Sequence, residues 1–506
     1  MSDRITKTVV FSGSAVLVAG LMIAILLMTG GHFAYVLDDA YIYLALAENL
    51  PFNYSVNAPG AEAGAPSSSI LYPYLLMPLA HTSLALFGPL LISFAGAVPV
   101  LLLLLRLERQ IALLPDLSPA HRGGAVLAFA VLINLFALVF TGMEHTLHVA
   151  AALGVLGGLI DLTEGRAPRW WFWLAIVAGP LLRYEALALS LPALVFAGTC
   201  GYTRRSVWVS VLTLAGPVVF GFYLVSMGYS WLPSSVLAKS YLLISVDEGM
   251  SGLMSLLSVW GNFTLNLLEP TALIHVVLLA ILLGLLRNSP QRGLLLVVIL
   301  AAAAQLLLGK FGWMGRYHAW ALALMLLTIF YVARGRIKTG LLVEMAVLAG
   351  MTGLIYTAIT PPVAAHVYRY HSTLHDFVTG YWKDDIAALD IGYLSWENPH
   401  TVVDLFGLAS ERIRRLVHKP HADQAIIQLL ADEHIGLIIA EPKLLDTYNS
   451  PQWKLAGELQ LSSLFWVTGL NPRFYLTDPA RADELRQKLE AFRPRLPQGV
   501  TLKVYE

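Results

Sequence analysis

The sequence predicts a polytopic α-helical membrane protein that ends in a soluble α/β domain. Hydrophobic residues make up 57% of the 506 residues and charged residues only 13%, with a mean hydropathy of +0.66. Soluble globular proteins carry about 25% charged residues, so roughly half of the usual solvating charge is missing. Basic and acidic residues number 33 each, which excludes nucleic-acid binding through a basic surface. The single cysteine, Cys200, excludes an internal disulfide framework.

About eleven apolar stretches predict the transmembrane helices. Apolar runs of about 18 residues or more with few charges are typical of membrane-spanning helices. The first, 9–30, is too long for the core of a signal peptide, and we interpret it as an uncleaved anchor. The other predicted spans are 89–107, 123–141, 146–162, 170–183, 186–200, 207–228, 263–287, 293–309, 317–333 and 339–359. Of these, 170–183 and 186–200 are the weakest.

The distribution of Lys and Arg predicts the orientation of the chain. With a cytoplasmic N-terminus, the cytoplasmic segments hold fourteen basic residues, whereas the external loops of the membrane part hold four. We therefore expect residues 1–359 to form a membrane domain with a long first external loop at 31–88. Within this loop we expect residues 67–81 to form a re-entrant or interfacial helix. A membrane span there would move every later loop to the opposite side of the membrane. The stretch 39–49 predicts a second interfacial helix.

After residue 360 the composition becomes that of a soluble domain. Residues 360–506 hold 15 of the 33 basic and 18 of the 33 acidic residues. Runs rich in β-forming residues alternate there with helical ones. The predicted strands are Thr401–Leu405, Gly436–Ala440 and Phe474–Thr477, and the predicted helices are Asp423–His434 and Ala480–Phe492. We expect a compact α/β domain on the external side.

Unusual polar residues fall at five turns on this same side of the membrane. They are Asp38, Asp39, Glu144, His145, Arg183, Glu185, Lys239, Arg316, Tyr317 and His318. Each has a structural explanation by itself: a helix cap for the aspartates, a surface ion pair for Arg183 with Glu185, or a snorkelling anchor for a lone cation. Their shared location instead indicates a site at the outer boundary of the membrane.

These side chains fit group transfer from a lipid phosphate. A carboxylate whose pKa is raised by burial can take a proton from a hydroxyl nucleophile. Arg183, Lys239 and Arg316 could stabilise the charge that develops on a phosphate leaving group. The apolar walls of the spans suit a lipid tail. A divalent metal bound by Asp38, Asp39, Glu144 or a histidine stays open, because no spacing here is diagnostic.

Six motifs in chain order resemble those of the GT-C glycosyltransferases. The run Val36-Leu-Asp-Asp-Ala-Tyr-Ile42 is similar to the D-D-A-Y-I signature of bacterial members of the mycobacterial arabinofuranosyltransferase type. The later motifs are Thr141-Gly-Met-Glu144, Arg183-Tyr-Glu185, Leu232-Pro-Ser-Ser-Val-Leu-Ala-Lys239, Gly315-Arg-Tyr317, and Asp390-Ile-Gly392 with Val403-Asp-Leu405-Phe-Gly407-Leu408. The chain departs from the pattern at Tyr184, at Ser234 and at Glu62-Ala63-Gly64, which leaves the substrate open rather than the fold.

The resemblance implies an inverting transferase with a polyprenyl-phosphate-linked sugar as donor, and an arabinofuranosyl donor is the option that its D-D-A-Y-I relatives suggest. It implies a glycan or glycolipid acceptor, a bacterial cytoplasmic membrane location, and chemistry on the extracytoplasmic side. One aspartate of the pair would be the catalytic base, and we favour Asp38, which is nearest the membrane boundary. The donor phosphate would lie near Arg183, Lys239 and Arg316, and the segment 67–81 would help to close the site against water.

Two other classes of protein are compatible with these sequence features. A transporter or flippase of lipid-linked sugar would also need a polar site among apolar helices. Such proteins often show paired repeats and place charges near the bilayer midplane, and neither is visible here. A non-catalytic assembly protein that only holds a glycolipid is the third reading.

Overall fold

The computed structural model describes residues 2–61, 63–239, 251–417, 419, 421–442, 453–461 and 471–505. A helical part extends to Trp382, and a sheet domain follows over 386–505. Glu62, which belongs to the motif of the first long loop, lies outside the described residues.

Most helices of the first part coincide with the predicted apolar stretches, whereas Gly252–Asn266 lies largely before the predicted span 263–287. Their bounds are Ser2–Met28, Gly88–Ile111, Pro119–Leu132, Leu135–Phe140, His145–Thr163, Trp170–Leu182, Leu187–Ala197, Thr203–Ser226, Gly252–Asn266, Pro270–Leu286, Arg292–Leu308, Ala319–Ala333 and Thr339–Val367. In the described part of the chain, five helices are long and apolar enough to cross a membrane. The number rises to at most six if Gly252–Asn266 and Pro270–Leu286, bent by 106°, form one span. The chain is a multi-pass membrane protein.

The predicted number of eleven spans is not confirmed, because hydropathy does not register where a helix continues or breaks. The predicted spans 186–200 and 207–228 merge into a single run, Tyr184–Ser226, with a non-helical Gly201 inside it. The predicted span 123–141 is instead divided at Asn134, whose φ of +69° stops the helix. Three further apolar helices, Trp170–Leu182, Arg292–Leu308 and Ala319–Ala333, are shorter.

The first long loop contains no spanning helix among its described residues. The predicted re-entrant segment forms a short helix, Tyr72–Leu76, and a 3₁₀ turn, Met77–Leu79. The expectation of an interfacial helix at 39–49 was wrong. The helix Asp39–Asn49 is buried throughout its middle and packs against Gly392–Ser395 of the sheet domain. Its aromatic residues therefore face protein and not a membrane surface.

The sheet domain contains a six-stranded mixed sheet in the order β2-β1-β3-β5-β4-β6. The strands are β1 (Ile386–Ala388), β2 (Val402–Asp404), β3 (Leu437–Ala440), β4 (Lys454–Leu461), β5 (Arg473–Leu476) and β6 (Val500–Val504). Strand β1 pairs in parallel with β2 and β3, and the remaining pairs are antiparallel. The helices Gly392–Ser395, Glu411–Leu416, Ala422–Asp432 and Ala482–Phe492 lie among the strands in sequence.

The three predicted strands and both predicted helices of this domain are confirmed, whereas β1, β4 and β6 were missed. Strand β1 has only three residues, which is too short for a sequence pattern to emerge. The predicted domain division at residue 359 falls within the helix Thr339–Val367, which continues through three further helical segments to Trp382. The division itself stays a prediction.

Candidate active site

Asp39 forms a two-bonded ion pair with Arg316. The Arg316 Nη1 and Nη2 atoms lie 3.0 Å and 3.1 Å from the two carboxylate oxygens of Asp39. Arg316 is only 3% exposed, and its Nη2 also donates to the Tyr317 hydroxyl at 2.8 Å. Such parallel bonds fix both distance and orientation. The sequence placed these residues on one side of the membrane, and the structure brings them into contact.

The turn that presents Arg316 has an unusual backbone. The four residues before it, Gly312 to Gly315, all have positive φ, including +49° at Trp313 and +59° at Met314. Non-glycine residues pay about 1–2 kcal/mol each in this region. The Asn134 Nδ2 donates to the Met314 carbonyl oxygen at 2.6 Å and holds the turn from the facing helix break. Strain of this kind persists only where the surroundings impose it, and it often marks functional sites.

Asp38 points away from its neighbour and towards the sheet domain. Successive residues at the start of a helix diverge by about 100°. The carboxylate of Asp38 accepts backbone N–H bonds from Gly392 at 2.6 Å and Tyr393 at 2.8 Å. The Nδ1 atom of His371 lies 3.4 Å from the same carboxylate. Asp38 therefore joins the helical part to the Asp390-Ile-Gly392 motif.

The two carboxyls differ in acidity. Burial raises the pKa of Asp38 to about 7, although the two backbone N–H bonds work in the opposite direction. Burial would also raise the pKa of Asp39, but Arg316 and Lys239 outweigh it and hold that pKa well below its usual value. Asp38 can therefore gain or lose a proton near neutral pH, whereas Asp39 stays ionised.

A second buried ion-pair group lies at the start of the helix His145–Thr163. Arg183 Nη1 donates to Glu144 Oε1 at 2.9 Å, and Arg183 Nη2 donates to Glu185 Oε1 at 2.5 Å. Glu144 is fully buried, and Arg183 is 5% exposed. Because a buried charge is costly without its partner, this arrangement requires all three side chains together.

Tyr317 lies between the two arginines. Its ring centroid is 4.7 Å from the Arg316 guanidinium carbon and 5.7 Å from that of Arg183. The ring of His145 meets it edge-on at 6.2 Å. A neutral aromatic face between two cations attracts both and keeps them apart. The predicted residues of four separate turns thus form one continuous cluster.

His318 is the predicted residue that the structure does not bring to this cluster. Its ring stacks on Phe311 at 5.3 Å, and the ring of His275 meets the same phenyl ring edge-on at 5.4 Å. The sequence could not separate His318 from its neighbours, because the left-handed turn before Arg316 decides which way each side chain points.

Lys239 connects the ion pairs to a cavity. Its Nζ lies 3.5 Å from Asp39 Oδ1, and its side chain lines a cavity of about 670 Å³. Arg183, Glu185, Tyr317 and Lys310 line the polar end, and the remaining wall consists largely of Leu187, Leu191, Pro192, Leu232, Val236 and Leu308. Leu191 and Leu308 are also exposed on the outside of the helices. The cavity thus has one charged end and one apolar part, and the apolar part opens towards the lipid-facing surface of the helices.

Glu411 of the sheet domain is a site residue that sequence reasoning missed. It accepts bonds from Ser230 at 2.8 Å and Ser234 at 3.1 Å, which precede Lys239 in the chain. It also receives Arg414 Nη2 at 2.8 Å. The sheet domain thereby holds the segment that carries Lys239. No local sequence signal marks Glu411 as a site residue, because its two serine partners are about 180 residues away.

His371 is the second residue that was missed. It is fully buried, and neither of its ring nitrogens has a hydrogen-bond partner among the described residues. His371 stands between His366 and His375 in the same helical run, and nothing in the sequence separates it from these two neighbours. Only the fold places it beside Asp38.

The described side chains do not form a ready metal site. No group of three or more His, Cys, Asp or Glu side chains that could hold a metal ion occurs among them. Asp38 is occupied by backbone N–H groups and Asp39 by cations. These residues therefore do not fit a divalent metal in this arrangement.

Comparison with known proteins gives one family match and several structural similarities. A family model described as a domain of unknown function (DUF8728) matches residues 362–480, from the end of the long helix to the turn after β5. No curated protein sequence matches the chain significantly.

Among solved structures, the chain is similar to the oligosaccharyltransferase of Archaeoglobus fulgidus in complex with zinc and sulfate. The TM-score is 0.46 with 12% identity, over 90% of this chain and 72% of that one. The apo form gives 0.44 and 12%, over 91% and 74%. The archaeal oligosaccharyltransferase AglB from the same organism, with an inhibitory peptide and a dolichol-phosphate, gives 0.43 and 11%, over 91% and 74%.

Proposed function

We propose that the protein is an integral membrane glycosyltransferase of the GT-C type. It would move a sugar from a polyprenyl-phosphate-linked donor to a hydroxyl of a glycan or glycolipid on the extracytoplasmic side of a bacterial cytoplasmic membrane. The observation that carries this proposal is the cavity beside Lys239, which joins a cationic end to an apolar channel. A phosphate with a long apolar tail has the same two-part chemistry.

The donor side of the reaction is assigned to the cavity. Its tail would lie along Leu187, Leu191 and Leu308, and its phosphate would meet Lys239 and Arg183. Cations placed where negative charge develops stabilise the departing phosphate. Asp39 holds Arg316 and Lys239 in place before the donor arrives. Which sugar is carried is left to experiment, and an arabinofuranosyl donor is the first to try.

The acceptor side is assigned to the boundary with the sheet domain. In a single displacement, the acceptor oxygen bonds to the anomeric carbon while the bond from that carbon to the phosphate oxygen breaks on the opposite face. Asp38 would take the proton of the acceptor hydroxyl, because its pKa of about 7 suits a base at neutral pH. The divergence of Asp38 and Asp39 supports this division, since nucleophile and leaving group must lie on opposite sides.

The test is turnover by the purified full-length chain in lipid nanodiscs. Wild-type protein, supplied with a polyprenyl-phosphate-linked arabinofuranose and a glycan acceptor, is expected to release free polyprenyl phosphate and a lengthened glycan. Asp38→Asn should abolish both products, and Lys239→Gln should raise the donor KM about tenfold. Movement of intact lipid-linked sugar across a proteoliposome membrane, without cleavage, would instead identify a flippase.

A further inference from the structure

A second charged cavity lies at the opposite end of the helix His145–Thr163. Glu144 precedes this helix, whereas Asp161 lies in its last turn, about 25 Å away at 1.5 Å per residue. The cavity has a volume of about 880 Å³ and is lined by Arg106, Arg109, Arg166 and Arg169 with Asp161 and Glu164. It is separate from the candidate active site.

The arginines of this cavity are held by a buried carboxylate. Asp161 is only 2% exposed, and it accepts from Arg106 at 2.6 Å, Gln110 at 2.9 Å and Arg166 at 2.9 Å. The Arg106 guanidinium also lies over the Trp171 ring, 5.0 Å from its centroid. Side chains fixed in this way are oriented before a ligand arrives, which lowers the entropic cost of binding.

The charges of the cavity do not cancel. Four arginines and two carboxylates line the cavity. Arg109 is paired outside the cavity with Asp3, and Glu164 is itself shared between Arg166 and Arg334. The side chain of Arg169 forms no hydrogen bond or ion pair with any residue in the described part of the chain, although its backbone carbonyl oxygen accepts from Phe172 N–H. An anion in the cavity would give Arg169 a partner and balance the excess positive charge. Phosphate oxygens match the guanidinium donors.

The surroundings distinguish a lipid headgroup from a free anion. Trp170 is 71% exposed and Leu174 is 55% exposed, and both lie on the helix that begins directly after Arg169. In a membrane-spanning protein these apolar side chains face acyl chains, and tryptophan is favoured at the level of the headgroups. If Arg169 binds the phosphate of a lipid headgroup, the acyl chains of that lipid can therefore extend along Trp170 and Leu174 into the bilayer.

We propose that this cavity is a binding site for an anionic phospholipid headgroup, on the membrane face opposite to the candidate active site. Arg169 and Arg166 contact the phosphate, Arg106 and Asp161 shape the cavity, and Trp170 packs against the lipid's acyl region. The site does not depend on the proposed transferase activity, because its ligand is a lipid of the surrounding bilayer.

The experiment measures lipid retention by native mass spectrometry on the full-length protein. Wild type released from nanodiscs of equal phosphatidylglycerol and phosphatidylcholine is expected to retain one phosphatidylglycerol preferentially. Arg169→Gln should weaken that retention about tenfold, because it removes a charge-assisted contact to the phosphate. The substitution leaves the fold intact, since this exposed side chain has no partner among the described residues. The combined Arg166→Gln and Arg169→Gln variant should lose the preference entirely.

The matched control is Arg204→Gln, an exposed arginine of the same predicted membrane face that lies outside the cavity. It should retain the lipid as wild type does. An equal loss of lipid retention in this control would show that the lipid is attracted to positive charge in general, and would overturn the proposed site. A separate titration of lipid-free protein with inorganic phosphate distinguishes a soluble anion. Saturable phosphate binding that Arg169→Gln abolishes, without any lipid preference, would also overturn the lipid assignment.

Discussion

Asp39 and Arg316 form a bidentate ion pair, with both terminal guanidinium nitrogens about 3 Å from the two carboxylate oxygens. Lysine cannot reproduce this geometry, because its ammonium group is a single point charge. We expect Arg316→Lys to lower kcat/KM for the lipid-linked donor about 10- to 100-fold, since one or two charge-assisted bonds are lost. Arg412→Lys, in an exposed pair with Glu433, should leave turnover unchanged. Equal effects in both variants would contradict a special role for the pair.

The acidity of Asp38 predicts the pH profile of the reaction. Below its pKa of about 7 the carboxyl carries a proton and cannot accept another, so kcat/KM should fall about tenfold per pH unit. The fall should still be present in Asp39→Asn, whatever its overall rate, because Asp39 is ionised throughout this range. A wild-type profile that is flat from pH 5.5 to 8 would exclude Asp38 as the base.

The same carboxyl also links stability to pH. Its folded pKa lies above the unfolded value of about 4, so protonation favours the folded state. This contribution is complete below pH of about 4 and is lost as the pH rises through about 7. Asp38→Asn should therefore flatten the change in melting temperature between pH 5 and 8. Thermal unfolding of both proteins in the same detergent checks this, and parallel curves would contradict it.

The left-handed turn before Arg316 offers a matched pair of glycine substitutions. Gly315 and Gly335 have almost the same φ, +70° and +71°, so alanine should cost about 1 kcal/mol at each through backbone strain. At Gly315 the new methyl group would also lie 2.8 Å from Asn134 Nδ2 and 2.9 Å from the Tyr356 ring, whereas the space at Gly335 is open. We expect Gly315→Ala alone to reduce turnover, at least tenfold. Comparable turnover in the two variants would show that the geometry of this turn does not affect the activity.

Glu411 predicts that the sheet domain contributes to the donor site. Replacing it with glutamine removes a buried counter-charge of Arg414, which is 3% exposed, and should cost about 3 kcal/mol of stability. The bonds to Ser230 and Ser234 should weaken too, so the donor KM should rise while the acceptor KM changes less. Glu433→Gln, in an exposed pair, should cost less than about 1 kcal/mol. An unchanged donor KM in Glu411→Gln would contradict a contribution of the sheet domain to the donor site.

Sidedness was the part of the site that the sequence could predict. Hydropathy and the placement of Lys and Arg were enough to bring Asp39, Arg183, Lys239 and Arg316 to one membrane level. The pairing itself was not predictable, because it joins turns separated by up to 277 residues. The predicted number of spans is also not confirmed, since hydropathy measures apolar length and does not register a break such as Asn134.

The different acidity of Asp38 and Asp39 could not be predicted from the sequence either. The contrast between the two aspartates was invisible in the sequence, because it arises from what each one meets. Asp38 meets backbone N–H groups of the sheet domain, and Asp39 meets cations of the helical part. Helix periodicity predicts that the two diverge, but not towards which partner.

The bonds from Gly392 and Tyr393 to Asp38 have an evolutionary consequence. A chain that lost its sheet domain would keep both aspartates, yet Asp38 would be exposed to water and its pKa would return towards about 4. Recombination that exchanged the sheet domain for another would therefore alter the basicity of this carboxylate as well as the neighbouring surface. The sheet domain thus sets the acidity of Asp38 as well as the surface beside it, and the two parts of the chain act as one unit at this carboxylate.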